Sequence, residues 1–374
     1  SLFILSILSI PVNFFVMSSD LQIKQFKASD EAALLSFLRA AYPDDPRRSQ
    51  PDFWRWHFLE HPHVRMDDVP LWLVKDGEVI AAQLAAIPVE MKIGEERVRA
   101  IWIMDVYVHR DYRRRGLARR LWLAAGESYS RMFGLGINEQ SKAVVMGLNW
   151  VEMGHIHRYH RLLYPGDALR DIQKLKPLRD LVNLGYAPFR RRLARRAAKA
   201  RYEAREVGEF DASFDDLWQR ARVQWPCAVE RHAPYLEWQF MRQPGKRFDA
   251  LGLYDDGRLV GYVVLFFRKP EITGAPQKAA ITDLCYDASD SRQVIDELLK
   301  AALRLALERR AGSIVTDVLD ARVEERLRDL GFRRVKTAPE FITNPGAPQF
   351  LYDPGNWFLT RADSDVSIFE QPNL

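Results

Sequence analysis

"VYVHRDYRRRGLARRLWLAA", residues 106–125, sets Arg113, Arg114 and Arg115 directly against Gly116, with Arg119 and Arg120 just beyond. Like charges repel, so such crowding marks either a solvated surface patch or a place intended for something strongly anionic. The run before it, "IWIMDVYV" (101–108), reads as a strand, and the residues after Gly116 have helix period. A strand, a basic loop and a helix starting near Gly116 bring free backbone N–H groups and a helix dipole to one point. Gly116 and the small Ala118 let a phosphate approach the backbone, and arginines add permanent charge and forked donors. Together these are the parts of a pyrophosphate cradle.

The rest of the chain is organised around that element. At 374 residues it is long enough for two domains, and 47% apolar with 28% charged residues is ordinary for a soluble globular protein. Ten tryptophans point to substantial cores or aromatic-lined grooves. A net charge of +5 suits an anionic ligand without implying nucleic acid. Cys227 and Cys285 are the only cysteines, which excludes a disulfide framework and makes a reducing, cytoplasmic setting the expectation. Residues 1–16, "SLFILSILSIPVNFFV", are uncharged and precede Met17. They read as an extension ahead of a natural start, with a hydrophobic anchor or a docked helix as the alternatives.

The chain also repeats itself. "FWRWHFLEHP" (53–62) and "YLEWQFMRQP" (235–244) share an aromatic start, a Trp, a Phe and a closing Pro. Each precedes a hairpin signal with Asp-Gly at its turn, then "IWIMDVYV" or "AITDLCYD", with Asp105 matching Asp283. The landmark spacing drifts from about 182 to about 168 residues, as expected if changes fall in loops. Two copies of one mixed α/β unit follow. In the first, strands are expected near 21–27, 71–75, 79–93, 97–108 and 142–149. Its helices are expected near 30–42, 51–59, 116–133 and 152–163. The chain then divides into an extension (1–16), a catalytic domain (17–165), a basic linker (166–205), a second domain (206–345) and a tail (346–374).

On these residues the sequence resembles the GNAT superfamily of acyl-CoA-dependent N-acetyltransferases. That family's phosphate signature is Arg or Gln, two residues, Gly, one residue, then Gly or Ala, which Arg113 to Ala118 match without a gap. The resemblance covers residues 21 to about 165, and more weakly 206–335. It implies an α/β fold of the α+β mixed-sheet kind, in two tandem GNAT-like domains. It also implies that backbone amides of Arg114, Arg115, Gly116, Leu117 and Ala118 hold the pyrophosphate of acetyl-CoA as co-substrate. The strand Val106, Tyr107, Val108 would bond the pantetheine arm and polarise the thioester. Family members place a tyrosine in the last helix to protonate the departing thiolate. The matching position is Tyr159, although Leu163 and Tyr164 replace the usual Gly and Phe, and Glu152 stands where an Asn is usual. In the second copy the arginine loop becomes "SRQVID", with Asp296 facing where phosphate would sit, and Leu327 takes the tyrosine position. That copy is expected to keep the fold and lose the cofactor.

An attacking amine must lose its proton, and for a lysine-like amine this costs about 4.6 kcal/mol at pH 7. Asp105, Glu139 and Glu152 are the candidate bases, although the survival of Asp283 in the second copy argues for a structural Asp105. Trp54, Trp56 and His57 are candidate walls of the acceptor pocket, with Trp56 and Phe58 also reading as core. In "HIHRYH" a helix would place only His157 and His160 together, so no metal is expected and His157 is a candidate for the acceptor groove. Residues 189–205 carry eight basic residues and one acid. They read as a solvated helix, or as a face for anionic lipid or an acidic acyl carrier protein, with nucleic acid disfavoured by the lack of any recognition motif. Trp357, Phe358 and Phe369 should dock the tail. The expected function is transfer of acetyl from acetyl-CoA to a primary amine, such as an amino sugar or other small metabolite, by direct attack. The setting is the cytoplasm or the inner face of its membrane, with a homodimer compatible. Its rivals are an acyltransferase using long-chain acyl-CoA or acyl carrier protein, and a non-catalytic acyl-CoA sensor or scaffold.

Overall fold

The computed structural model describes residues 21–65, 68–169, 176–198, 200–268, 277–336 and 339–369. The expected extension at 1–16 lies outside them. The first unit begins β1 (Ile23–Gln25), α1 (Glu31–Ala41), α2 (Pro51–Phe58), β2 (Leu71–Asp76), β3 (Val79–Ile93) and β4 (Glu96–Val108). It continues with α3 (Leu117–Ser128), β5 (Met132–Leu135), α4 (Glu139–Met146), β6 (Val151–His155) and β7 (His157–Leu162). Two helices, α5 (Lys176–Gly185) and α6 (Ala187–Ala198), join it to the second unit. That unit opens with β8 (Glu203–Glu206), α7 (Ala212–Ala221), β9 (Cys227–Val229), α8 (Ala233–Phe240), β10 (Phe248–Asp255) and β11 (Arg258–Arg268). It closes with β12 (Lys278–Tyr286), α9 (Ser291–Glu308), β13 (Ser313–Leu319), α10 (Ala321–Asp329), β14 (Arg333–Arg334) and β15 (Glu340–Thr343). The tail adds β16 (Trp357–Thr360) and α11 (Val366–Phe369). Among the described residues no helix is long and apolar enough to cross a membrane.

Local rules account for most of these elements. Helix α3 buries Leu117, Leu121, Trp122 and Ala125, one stripe of a 3.6-residue period. The β10–β11 hairpin turns on Asp256 and Gly257, both with positive φ, as a two-residue turn matched to strand twist requires.

Three expectations in the first unit are corrected. The helix placed at 116–133 stops at Ser128, and Met132–Leu135 is a strand parallel to β4. The run at 142–149 is mostly helix α4, capped by the Asn138 side chain accepting from the Ser141 N–H at 2.9 Å. The segment 152–163 is not a helix but the strands β6 and β7. Its buried residues, Met153, Ile156, Tyr159 and Leu163, repeat at helical spacing only because the chain changes sheet at Ile156.

That change of sheet is reciprocal. Strand β7 of the first unit pairs with β13 and β14 of the second, while β15 of the second pairs with β5 and β6 of the first. Each unit therefore completes its sheet with the other's last strand, and the path runs β6-β15-β5-β4-β3-β9-β16-β13-β12-β11-β10-β8. A pair of equivalent tryptophans seals the junction. Trp56 Nε1 donates to the Trp238 carbonyl at 3.1 Å, and Trp238 Nε1 donates to the Trp56 carbonyl at 2.9 Å. Their rings stack at 4.8 Å with 13° between planes. Trp56, expected as an acceptor wall and as core, is thus core at the junction, and it lines neither of the recesses among the described residues. Around it Phe53, Trp102, Phe133, Phe341 and Trp357 form one shared core drawn from both halves.

Candidate functional site

In the first unit β4 and β5 are hydrogen-bonded only at Ile101↔Met132, Trp102↔Phe133 and Ile103↔Gly134. Beyond that point β4 continues to Val108 paired with β3, and its β5-facing edge has no strand partner over residues 104–108 among the described residues. A cleft of about 600 Å³ fills the V between them. Its walls include Val106, Tyr107, Val108, Arg113, Arg114, Gly116, Leu117 and Ala118, with Asn138 and Ser141 of α4's start opposite. The turn needs its glycine for conformation: Gly116 is the N-cap of α3 at φ +70°, and a Cβ there would meet nothing within 4 Å. Arg114 also has positive φ, at 63°. Arg115 is the exception among the expected cofactor residues. Its guanidinium lies 4.9 Å over the Tyr112 ring and donates to the Asp111 carbonyl, and it does not line the cleft.

Asp105 sits where β4 leaves β5 and lines the same cleft. It accepts from the Tyr42 hydroxyl at 3.2 Å and is paired with Arg48, whose guanidinium lies 4.5 Å over the Tyr42 ring. Beside this group the tail contributes Asp365, half-buried in the cleft wall. Burial and the neighbouring Asp105 carboxylate push the Asp365 carboxyl up to about 7. Sequence reading missed Asp365 because it arrives from the far end of the chain, 260 positions from Asp105, in a stretch carrying no motif.

The second unit explains how Asp365 gets there. Its equivalent of Asp105 is Asp283, which accepts from the buried Arg231 at 3.2 Å. Where β12 and β13 diverge, β16 enters and pairs with β13 at Val318↔Thr360 and Leu319↔Leu359. Thr360 donates to Asp283 at 2.7 Å, and Arg231 also bonds Asp363 at 2.7 Å. The V that is open in the first unit is thus filled in the second by the chain's own tail, which then carries Asp365 into the first. Trp357 and Phe358 are buried, as expected, while the side chain of Phe369 lies outside the described residues.

The other expected site residues scatter. Trp54 and His57 line a separate recess of about 10 Å³ that shares Met104 and Asp105 with the cleft. Burial drives the His57 imidazole down to about 3, so it is neutral. Tyr159 is fully buried on β7, donates to Glu324 at 2.8 Å and is pushed up to about 12 by burial and that hydrogen bond. It does not reach the cleft. His157, on the same strand, pairs with Glu324 at 2.7 Å. Glu152 is on β6, held below the usual carboxylate range by its hydrogen bond with Lys142 at 2.8 Å. Glu139 is exposed in the first turn of α4. None of these four lines the cleft. Among the described residues no three His, Cys, Asp or Glu side chains converge as a metal site.

Residues 22–133, which run from β1 to β5 and contain the arginine turn, match the family model of the acetyltransferase (GNAT) domain. No curated protein sequence matches the chain. Among solved structures, the chain superposes on Saccharomyces cerevisiae N-myristoyltransferase with bound myristoyl-CoA at a TM-score of 0.57. Identity is 13%, covering 93% of this chain and 83% of that one. It superposes on a GCN5-related N-acetyltransferase from Anabaena variabilis ATCC 29413 at 0.56, with 13% identity over 86% and 72% of the two chains. A conserved protein from Enterococcus faecalis V583, described as a probable N-acyltransferase, gives 0.58, with 11% identity over 86% and 72%. The domain match places a GNAT acetyltransferase domain at residues 22–133, the stretch that holds both the glycine-capped arginine turn and the open edge of β4.

Proposed function

We propose that the protein moves an acetyl group from acetyl-CoA to a primary amine, of which an amino sugar or another small metabolite is the expected type. The observation that carries the reading is the convergence of the Gly116 turn, the unpaired edge of β4 and two carboxylates in one cleft. The pyrophosphate would lie on the amides of Arg114 to Ala118, with Arg113 and Arg119 beside it. The pantetheine would run along Val106 to Val108, as an added strand.

The reaction joins the amine nitrogen to the thioester carbonyl carbon and breaks the C–S bond. Coenzyme A leaves as a thiolate, and a thiol pKa near the cysteine value of about 8.5 makes it a far better leaving group than the attacking amine once that amine has lost its proton. The amine's proton goes to Asp365, whose carboxyl is poised close to the operating pH, while Asp105, tied to Arg48 and Tyr42, keeps it there. The recess beyond Met104 has room for about one water-sized group. It suits a methyl, and the long chain of the myristoyl-CoA bound by the yeast neighbour would need the surrounding aromatics to move.

Calorimetry with acetyl-, octanoyl- and palmitoyl-CoA tests this on the wild type and on an Arg113→Ala/Arg119→Ala variant. Acetyl-CoA should bind the wild type, and the variant should lose about tenfold or more. Equal affinity in both proteins removes the cradle assignment, and tighter binding of palmitoyl-CoA replaces acetyl with a long acyl chain. Binding without turnover against a panel of amines would make the cleft a sensor.

A further inference from the structure

Most of this protein's surface is ordinary, but the helical pair joining the two units is not. Leu178, Leu181, Leu184 and Phe189 are 44%, 64%, 70% and 65% exposed. Leu178, Leu181 and Leu184 recur every three residues on one side of α5, and Phe189 stands at the start of α6 with its ring stacked on Tyr186. The pair is nevertheless firmly seated. Leu193 is buried against the second unit, Arg190 lies 4.3 Å over the Tyr164 ring, and Asn183 accepts from the Gly166 N–H at 2.9 Å. The helices therefore have one face docked and one face with nothing on it among the described residues.

Charge is concentrated on the same pair. Residues 176–198 hold seven Lys or Arg and a single acid, Asp180, a surplus of six against a net +5 for all 374 residues. The whole net positive charge of the protein thus sits on this hairpin, and the remainder is slightly acidic. Arg191, Arg192 and Arg195 are exposed on α6, Arg192 one turn from Phe189.

We infer that α5 and α6 form a docking face for an anionic lipid bilayer. A helix with exposed apolar side chains and nearby cations lies in the plane of a membrane interface, its leucines and phenylalanine reaching about 5–10 Å into the headgroup and acyl boundary and its arginines on phosphates. The long, mobile cations reach headgroups without any fixed pattern of partners, which a fluid lipid surface tolerates. An acidic protein would be met by the same charge, but it would have to present an apolar surface matched to four exposed apolar side chains on two helices. The bilayer needs no such match.

The test is co-sedimentation of the full chain with vesicles of pure phosphatidylcholine, and with vesicles containing about 30% phosphatidylglycerol, at low and high salt. The wild type should partition onto the anionic vesicles only, and less so at high salt. Leu181→Ser/Leu184→Ser/Phe189→Ser should lower that partition about tenfold or more, and Arg191→Glu/Arg192→Glu/Arg195→Glu should abolish it. All six positions are exposed, so both variants should retain wild-type thermal unfolding and coenzyme affinity. Absence of wild-type binding to anionic vesicles at low salt, or unchanged partition of the serine variant, overturns the inference. Binding of purified holo-acyl carrier protein in place of vesicles would overturn it too, and would give the face to an acidic protein.

Discussion

Replacing Asp365 with Asn removes one charge and almost no volume, and its consequences differ for stability and for catalysis. In the folded protein the carboxyl is raised to about 7 by burial and by Asp105, against about 3.9 in an unfolded chain. Below the unfolded value both states hold the proton and the group contributes nothing. Between that value and about 7 the folded protein retains a proton the unfolded chain has released, so stability falls as pH rises. Above about 7 the folded state carries the full cost of an ionised, poorly hydrated carboxylate. Three units correspond to about 4 kcal/mol as a ceiling, and because Asp365 keeps some solvent contact about 1–3 kcal/mol is expected. Asp365→Asn should therefore be more stable than the wild type at pH 8 by that amount, and nearly equal to it at pH 4. Urea denaturation followed by tryptophan fluorescence at both pH values measures the difference. Under the proposed chemistry kcat should fall by about 10²–10⁴, the acidic limb of the pH profile near 7 should disappear, and coenzyme affinity should stay within about twofold. A variant destabilised equally at both pH values would show that Asp365 is a stabilising partner of Arg48, and the reasoning would fail.

Gly116→Val should cost about 1–2 kcal/mol of stability through its left-handed backbone alone, since the space around it is open; a rise in the dissociation constant for acetyl-CoA is expected with it, and unchanged binding by calorimetry would contradict the role of the turn. Trp56→Ala and Trp238→Ala should each destabilise by about 3–5 kcal/mol, and the double variant by clearly less than the sum, because the two rings share one stack and two hydrogen bonds; additive losses in denaturation would refute the coupling. Arg231→Met strips Asp283 and Asp363 of their common cation and should cost about 3–5 kcal/mol. Because Asp363 anchors the strand that leads to Asp365, it should also lower turnover from a site in the other unit, and unaffected kcat in the folded variant would separate the two.

Much of this protein could be read from the order of its residues. The arginine turn was legible because a strand, a Gly with left-handed freedom and a helix start are local matters, settled within about twenty positions by steric and hydrogen-bonding rules. The doubling was legible because the Trp56 and Trp238 segments, the Asp-Gly turns and the Asp105 and Asp283 strands recur at nearly constant spacing. What failed was everything that depends on which sheet a segment joins. Tyr159 sits at a helical spacing from Met153 and Ile156, yet that spacing arises from two strands in two sheets, so the residue lies against Glu324 and not in the cleft. Asp365 could not be found at all. A carboxylate becomes a candidate base through burial beside another carboxylate, and Asp365 meets Asp105 only because the tail crosses the second unit before reaching the first. Local chemistry settled the Gly116 turn, and only the tertiary path of the tail decided that Asp365 stands in the same cleft. Spacing along a chain carries no information about contacts made across 260 residues, because those are set by the packing of whole sheets.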